Sequence, residues 1–391
     1  MITTVSITMK SFVIETAKHL CYECGYDVTL ICDRDDDFAA SLPKEIHYIP
    51  VAMARGISLS GFSAISEFRE IFRREKFDLV QYATPNAACY ASIAAKKEKV
   101  PIRLYCQWGI RYVGLSGISR KIFRFLEKLV CRNSTHVRAV SPMNMAFAIE
   151  EGLYAPEKAK VVGNGGTIGV DLSAYDISQK ETWSREIREQ YGIAKDELTF
   201  GFAGRISADK GCGELLSAFR AVCEENEKAR LLVVGPLEEN CGVSEALIAW
   251  AKSSEKVTFT GKIENKEMKR YYAAMDVLVH PTYREGFGMV IQEAGALAVP
   301  VITTNIPGAS EVMEDGVSCM LVAPKSEEEL KDAMLSLSED LGKTKVLGDA
   351  AYERTKRLYA RPIMLKNQEE DYRSLLDDCF AKYIETKERT K

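Results

Sequence analysis

Short apolar runs recur along the chain, each followed by a stretch whose apolar positions return at helical spacing. In the first half the runs fall at 3–6, 28–32, 46–51, 79–82, 102–106, 137–140 and 160–162, with helical spacing between them over, for example, 12–24, 64–74 and 87–96. From 198 the alternation resumes, with runs at 198–203, 231–234, 257–260, 277–279, 301–303 and 320–322. Strands alternating with helices predict parallel sheets covered on both faces. The glycine-dense stretch 163–169 reads as a linker or hinge, and the charged end from about 361 reads as helical. No repeat or low-complexity segment is visible. The expectation is an α/β chain of two Rossmann-like domains, 1–170 and 171–364, followed by a helix over about 365–391. The first run spans only 2–5, where a buried parallel strand usually holds five or six residues. That shortness predicts a native start a few residues upstream, or a short edge.

Two constellations carry chemistry. In Glu285-Gly-Phe-Gly-Met-Val-Ile-Gln-Glu293 two carboxylates stand eight residues apart, between the strand at 277–279 and a helix expected over about 289–297. A glycine turn leading into a helix start offers backbone N–H groups and a positive dipole end to an anion. One carboxylate can meet a sugar hydroxyl while the other meets a ribose. Upstream, Gly204-Arg205-Ile-Ser-Ala-Asp-Lys210-Gly211 follows the run 198–203 and sets two cations at a strand end. Arg as a planar fork and Lys as a point charge can clamp a diphosphate. Alone, either signal reads as a turn or a solvated helix face. Together, each at the C-terminal end of a strand, they match where open α/β sheets bind ligands.

On these residues the chain resembles the retaining family 4 glycosyltransferases of GT-B fold. Glu285 and Glu293 match the family's E-x7-E motif, and Arg205 and Lys210 match its Gly-Arg-x4-Lys-Gly motif. His280-Pro281, Pro300-Val301-Ile302, Gly308-Ala309-Ser310-Glu311 and Asp315-Gly316 support the match, which is strongest over 198–323. The segment 107–114, with Asn164-Gly165 and Gly169-Val170-Asp171, is similar to the capsule and exopolysaccharide branch. The resemblance implies two parallel-sheet domains facing across a cleft, with the last helix crossing back to the first domain. It implies a metal-independent hexosyltransferase with no cofactor, acting on a nucleotide-sugar whose expected identity is a UDP-sugar. Arg205, Lys210 and Glu285 are then the catalytic groups. Gly204, Gly261, Ile263, Gly286, Phe287, Gly288, Met289, Val290 and Glu293 bind the donor. Trp108, Arg111 and Tyr112 stand on the acceptor side, where a polyprenyl-diphosphate-linked saccharide is expected.

Charge sharpens the acceptor side. Residues 1–170 hold 22 Lys and Arg against 17 Asp and Glu, a net +5, while the rest of the chain is −9. Between Arg103 and Arg138 eight basic residues face one acid, Glu127. Within that stretch Arg120, Lys121, Arg124 and Lys128 alternate with Ile122, Phe123, Phe125, Leu126 and Leu129. A basic amphipathic helix can lie on an anionic membrane. An ordinary packed helix with a solvated basic edge is the plainer alternative, and the asymmetry favours the membrane. No apolar run reaches spanning length and no signal peptide is evident. The expected location is cytoplasmic, peripheral on the inner face of the plasma membrane, with no nucleic-acid partner. The eleven cysteines include one C-x2-C pair, Cys21 and Cys24. With no second pair or nearby His to complete a zinc site, reduced and mostly buried thiols are expected.

Departures from the family pattern are also legible. Ile7-Thr8 stands where relatives carry a glycine pair, Trp108 where many carry a His, and Cys319 where a glycine is common. Asp33-Arg34-Asp35 matches a D-x-D metal motif but reads as a solvated acidic loop. Of the four histidines, His19, His47 and His136 read as structural and His280 borders the donor loop. Two other functions share the fold: a nucleotide-sugar epimerase, and a non-catalytic nucleotide-sugar-binding subunit.

Overall fold

The computed structural model describes residues 1–53, 61–239 and 241–389, with side chains of the last helix described as far as 381. Contacts divide the chain into two units, Met1–Ile168 with Pro362–Lys391, and Gly169–Arg361. The division falls at the end of the glycine-rich stretch, where Gly163, Gly165, Gly166 and Gly169 all have positive φ.

The first unit is built on parallel strands β1 (Val28–Cys32), β2 (Ile46–Pro50), β3 (Leu79–Tyr82), β4 (Ile102–Gln107), β5 (His136–Ala139) and β6 (Ala159–Val161). β1 pairs with β2, and β3 to β6 run in order. Between β1 and β3 lies one residue, Ile2, bridged in parallel to Ile31 and to Tyr82. The strand expected over 3–6 does not form. Thr3 and Thr4 still reach the neighbouring strand, the Thr3 N–H donating to the Ile31 carbonyl and the Thr4 carbonyl accepting from the Asp33 N–H, but the Thr3 hydroxyl donates to the Val5 carbonyl and the Thr4 N–H to the Thr84 hydroxyl. With the Thr4 N–H on a side chain instead of a strand, the pairing goes no further. A helix, Ser6–Phe12, starts at once, so Ile7 and Thr8 are helical and make no glycine-like loop. Asp35 is likewise no free loop acid. It caps the helix Asp36–Ser41 by accepting from the Phe38 N–H, and it also pairs with Ser6 and Lys10.

The last helix, Arg361–Arg389, seats Tyr372 and Leu375 in one cluster with Met9, Leu20, Leu30 and Leu104. Its Asp371 accepts from Arg138 at 2.7 Å and from Lys160 at 3.2 Å. Among the described residues no helix is long and apolar enough to cross a membrane. All eleven cysteines are free, five buried and six half-buried, so fewer are fully enclosed than the sequence suggested.

The second unit carries six parallel strands: β7 (Leu198–Ala203), β8 (Ala229–Val234), β9 (Val257–Gly261), β10 (Val277–His280), β11 (Val301–Thr304) and β12 (Cys319–Val322). Their order is β12-β11-β10-β7-β8-β9. Phe200, Phe202, Phe219, Leu231, Val277, Val279 and Ile302 form its core, the near-continuous apolar pattern of a sheet covered on both faces. β7 and β10, which precede the two motifs, are adjacent at the centre of the sheet.

Candidate active site

The loops after β7 and β10 are pressed together by glycine. Gly211 has φ +69°, and a Cβ there would lie 2.0 Å from the Pro281 carbonyl oxygen. Only a residue without a side chain permits this approach. The contact is locked by the Tyr283 N–H donating to the Asp209 carbonyl at 2.9 Å. Gly308 does the same on the other flank. Its φ is +82°, and a Cβ would fall 2.3 Å from the Gly286 carbonyl oxygen. Buried Thr303 and Thr304 on β11 donate to the carbonyls of His280 and Thr282, fixing the start of the β10 loop.

This scaffold brings Lys210 and Glu285 together. Lys210 Nζ stands 2.8 Å from Glu285 Oε2, each side chain 19 % exposed. The same oxygen lies 3.1 Å from His280 Nε2, and Oε1 accepts from the Gly286 N–H at 3.2 Å. Burial by itself would raise the Glu285 carboxyl, but the His280 hydrogen bond and the Lys210 charge outweigh it and hold the group well below the usual range. Burial pushes the His280 ring below its ordinary value, against the raising effect of Glu285. At neutral pH the site therefore holds an ionised Glu285 and a neutral imidazole donating from Nε2.

Arg205 pairs elsewhere. Its guanidinium lies 2.5 Å from Glu238 and 3.6 Å from Asp209, and Asp209 in turn lies 3.7 Å from Arg284. Arg284 is a third cation that the sequence reading passed over, although it directly precedes Glu285. His280, placed by the sequence only at the border of the donor loop, proves to be a direct partner of Glu285. Its place at the end of β10, five residues before Glu285, was the available signal.

Several expected donor contacts are placed differently. Phe287 is 5 % exposed and meets Tyr359 edge-on at 5.6 Å, so its ring anchors the loop in the core. The Gly288 N–H donates to the Gly308 carbonyl at 3.1 Å, which removes one of the helix-start donors read from Gly288, Met289 and Val290. The helix itself is short, Met289–Gly295. Glu293, half-buried on it, accepts from the Tyr272 hydroxyl at 2.8 Å and also bonds Tyr175. Burial raises its carboxyl above the usual range despite those bonds and the Arg361 charge. Gly204 ends β7 with its N–H on the Val234 carbonyl, and the Gly261 carbonyl accepts from Gly235. Ile263 is half-buried beyond β9.

In the first unit Trp108 is half-buried and packs on Phe12, ring centres 5.7 Å apart. It lines a small cavity with Arg138, Gln368 and Asp371, so the ring serves as wall as well as surface. Arg111 is exposed, its guanidinium 4.8 Å over the Phe123 ring. Tyr112 is not available to an acceptor. It is fully buried, with its hydroxyl on Glu151 at 3.2 Å. An aromatic in a strand-end loop reads alike as an exposed platform or an anchor, and here it anchors.

Two family models match the chain: the glycosyl transferase 4-like domain over residues 9–165, and glycosyl transferases group 1 over 184–354. The second spans both loops of the site. The chain belongs to the group 1, family 4-like glycosyltransferases. It is 28 % identical to the capsular polysaccharide biosynthesis glycosyltransferase CapM of Staphylococcus aureus, over 86 % of this chain and 87 % of that one. It is 29 % identical to the putative teichuronic acid biosynthesis glycosyltransferase TuaC of Bacillus subtilis, over 54 % of this chain and 51 % of that one. Among solved structures, Anabaena Alr3699/HepE in complex with UDP aligns with TM-score 0.77 at 20 % identity, covering 95 % of this chain and 98 % of that one. A glycosyltransferase from Rickettsia africae aligns with TM-score 0.78 at 21 % identity, covering 96 % and 97 %. At those identities the likeness establishes the GT-B fold.

Proposed function

We propose that this glycosyltransferase moves a sugar, with retention of configuration and without a metal, from a UDP-sugar to a hydroxyl of a lipid-linked saccharide in capsule or exopolysaccharide assembly. The observation that carries the reading is the Lys210–Glu285–His280 cluster at the ends of adjacent strands β7 and β10. CapM and TuaC, by name, build surface polysaccharides, and HepE is a fold relative solved with UDP and with UDP-glucose. These support the donor class and the setting.

In this reading the departing diphosphate develops charge that fixed cations stabilise without reorganisation. Lys210 and Arg205 provide them, with Arg284 near enough to Asp209 to join. Glu285, kept ionised by its neighbours, accepts from a hydroxyl of the donor sugar. The neutral His280 holds Glu285 in its rotamer. Glu293 meets the ribose hydroxyls once one of its tyrosine bonds yields. Gly261 and Ile263 present backbone to the base.

The helix Gly117–Asn133 supports contact with a membrane surface. Glu127, Val130, Cys131 and Asn133 form its buried side. Ile118, Ile122 and Phe125 are 77 %, 40 % and 67 % exposed, and their spacing puts them on one stripe. With Lys121, Arg124 and Lys128 alongside, such a stripe suits an anionic bilayer.

A single-turnover assay with labelled UDP-sugar and a polyprenyl-diphosphate-linked acceptor tests the reading. Transfer with the donor's anomeric configuration retained is the expected result. Inversion at C2 of the sugar would replace it with an epimerase, and tight binding without turnover with a non-catalytic subunit.

A further inference from the structure

We propose that His19, Cys24 and Glu369 form a zinc site that fastens the last helix to the helix Ile14–Tyr22. His19 sits in the last turn of the latter, Cys24 in the turn just beyond it, and Glu369 on the last helix, all within the first unit. Among the described residues this is the one group of three or more His, Cys, Asp or Glu side chains whose ligand atoms all lie within 4.8 Å of one another. His19 Nε2 and Glu369 Oε2 are 2.9 Å apart, with side chains 20 % and 23 % exposed, so the group is neither sealed nor free in solvent.

The donor set selects the ion. A thiolate, an imidazole and a carboxylate together suit zinc, whereas magnesium and calcium take oxygen ligands. Zinc bonds of about 2.0–2.3 Å in a tetrahedron separate ligand atoms by roughly 3.3–3.8 Å. The His19–Glu369 contact of 2.9 Å opens by less than an ångström to reach that spacing, Cys24, within 4.8 Å of both, draws in to it, and its thiol releases a proton to solvent. Three protein ligands leave the fourth position to water.

The surroundings hold these side chains in place. Arg373 donates to Glu369 Oε1 at 2.6 Å, leaving Oε2 turned toward His19, the kind of outer contact that orients metal ligands. Thr16 donates to Gln368 at 2.7 Å, and Ala17, Leu20, Tyr372 and Leu375 share a core, so both segments are already in register. Cys21, the other half of the C-x2-C pair, directs its sulfur to the Glu45 carbonyl at 3.8 Å. The reading of that pair sought a second C-x2-C motif. It overlooked His19 two residues upstream, and Glu369 is reachable only through the fold.

The test uses the full chain, reduced and stripped with chelator, titrated with Co²⁺ as the optical stand-in for zinc. A near-ultraviolet thiolate-to-cobalt band that saturates at one equivalent, and that Zn²⁺ bleaches, is expected. Cys24→Ser should abolish the band, while His19→Gln and Glu369→Gln should weaken Co²⁺ binding by roughly 10–100-fold. Cys21→Ser should leave it intact. Zn²⁺ should raise the Tm of the parent and the Cys21→Ser variant but not of His19→Gln, whose half-exposed site makes folding of that variant a safe assumption to check by circular dichroism. No saturable band, a band that survives Cys24→Ser, or one that needs Cys21 overturns the proposal.

Discussion

The Lys210 ammonium stands 2.8 Å from Glu285 Oε2, joining two residues 75 positions apart at the centre of the second sheet. The pair marks the point where the two loop motifs meet. Replacing Lys210 by Ala should lower kcat/KM by about 10²–10³, the usual loss when one preorganised charge donor is removed. Arg205→Ala with Lys210→Ala should reduce it further. Steady-state kinetics with UDP-sugar decide this, and near-normal rates in the double variant would remove the diphosphate clamp.

His280 and Glu285 give the site a definite acid response. The folded His280 lies below its ordinary 6.5, so the unfolded chain takes up its proton first as pH falls, and stability drops from about pH 6.5 downward. Glu285 lies below its ordinary 4.5 when folded, so its contribution is complete above 4.5 and is lost only in stronger acid. Thermal unfolding measured between pH 5 and 7.5 should therefore fall on the acid side in the parent. His280→Gln should flatten that dependence. An unchanged slope would show that the ring titrates normally.

Glu293 is predicted to bind the ribose in exchange for a tyrosine. Glu293→Ala should weaken UDP affinity roughly 10–100-fold, in line with about 1.5–3 kcal/mol for a hydrogen bond to a charged group. Tyr272→Phe should change affinity little but lower stability by about 1–3 kcal/mol, because a buried carboxylate loses a partner. Calorimetry and urea unfolding separate the two effects. Equal losses of affinity would make Tyr272 a ligand contact in its own right.

For the basic helix, Ile118→Asp with Phe125→Asp should abolish co-sedimentation with anionic vesicles while leaving Tm and turnover on a water-soluble acceptor unchanged. Each apolar side chain is worth about 1.5–3 kcal/mol when withdrawn from water. Vesicle binding that persists in the variant would return the helix to an ordinary packed element.

Much of the fold was readable because strand periodicity and glycine placement act locally. β7 and β10 and the turns after them follow from runs of buried apolar residues ended by Gly204 and by Gly286 and Gly288. The helix Ser6–Phe12 was not readable, since Thr3, Thr4 and Val5 look like a strand until the Thr3 hydroxyl is seen on the Val5 carbonyl and Thr4 on distant Thr84. In the site, Lys210 and Glu285 could be paired from their motifs. Glu238 and the two tyrosines on Glu293 could not, because they arrive from a separate strand end and distant segments. Phe287 and Tyr112 were misread for a simpler reason: the sequence gives an aromatic no direction, and both point inward.

Asp209 stands between two guanidiniums, and Glu238 and Glu285 neutralise the remaining positive charge. On the proposed reading a nucleotide diphosphate arriving here competes with carboxylates already seated on the cations. Because Asp209, Glu238 and Glu285 already offset the three basic side chains, ionic strength should weigh less on donor affinity than those cations alone would suggest. In that reading selectivity comes from how well a pyrophosphate outcompetes the protein's own acids.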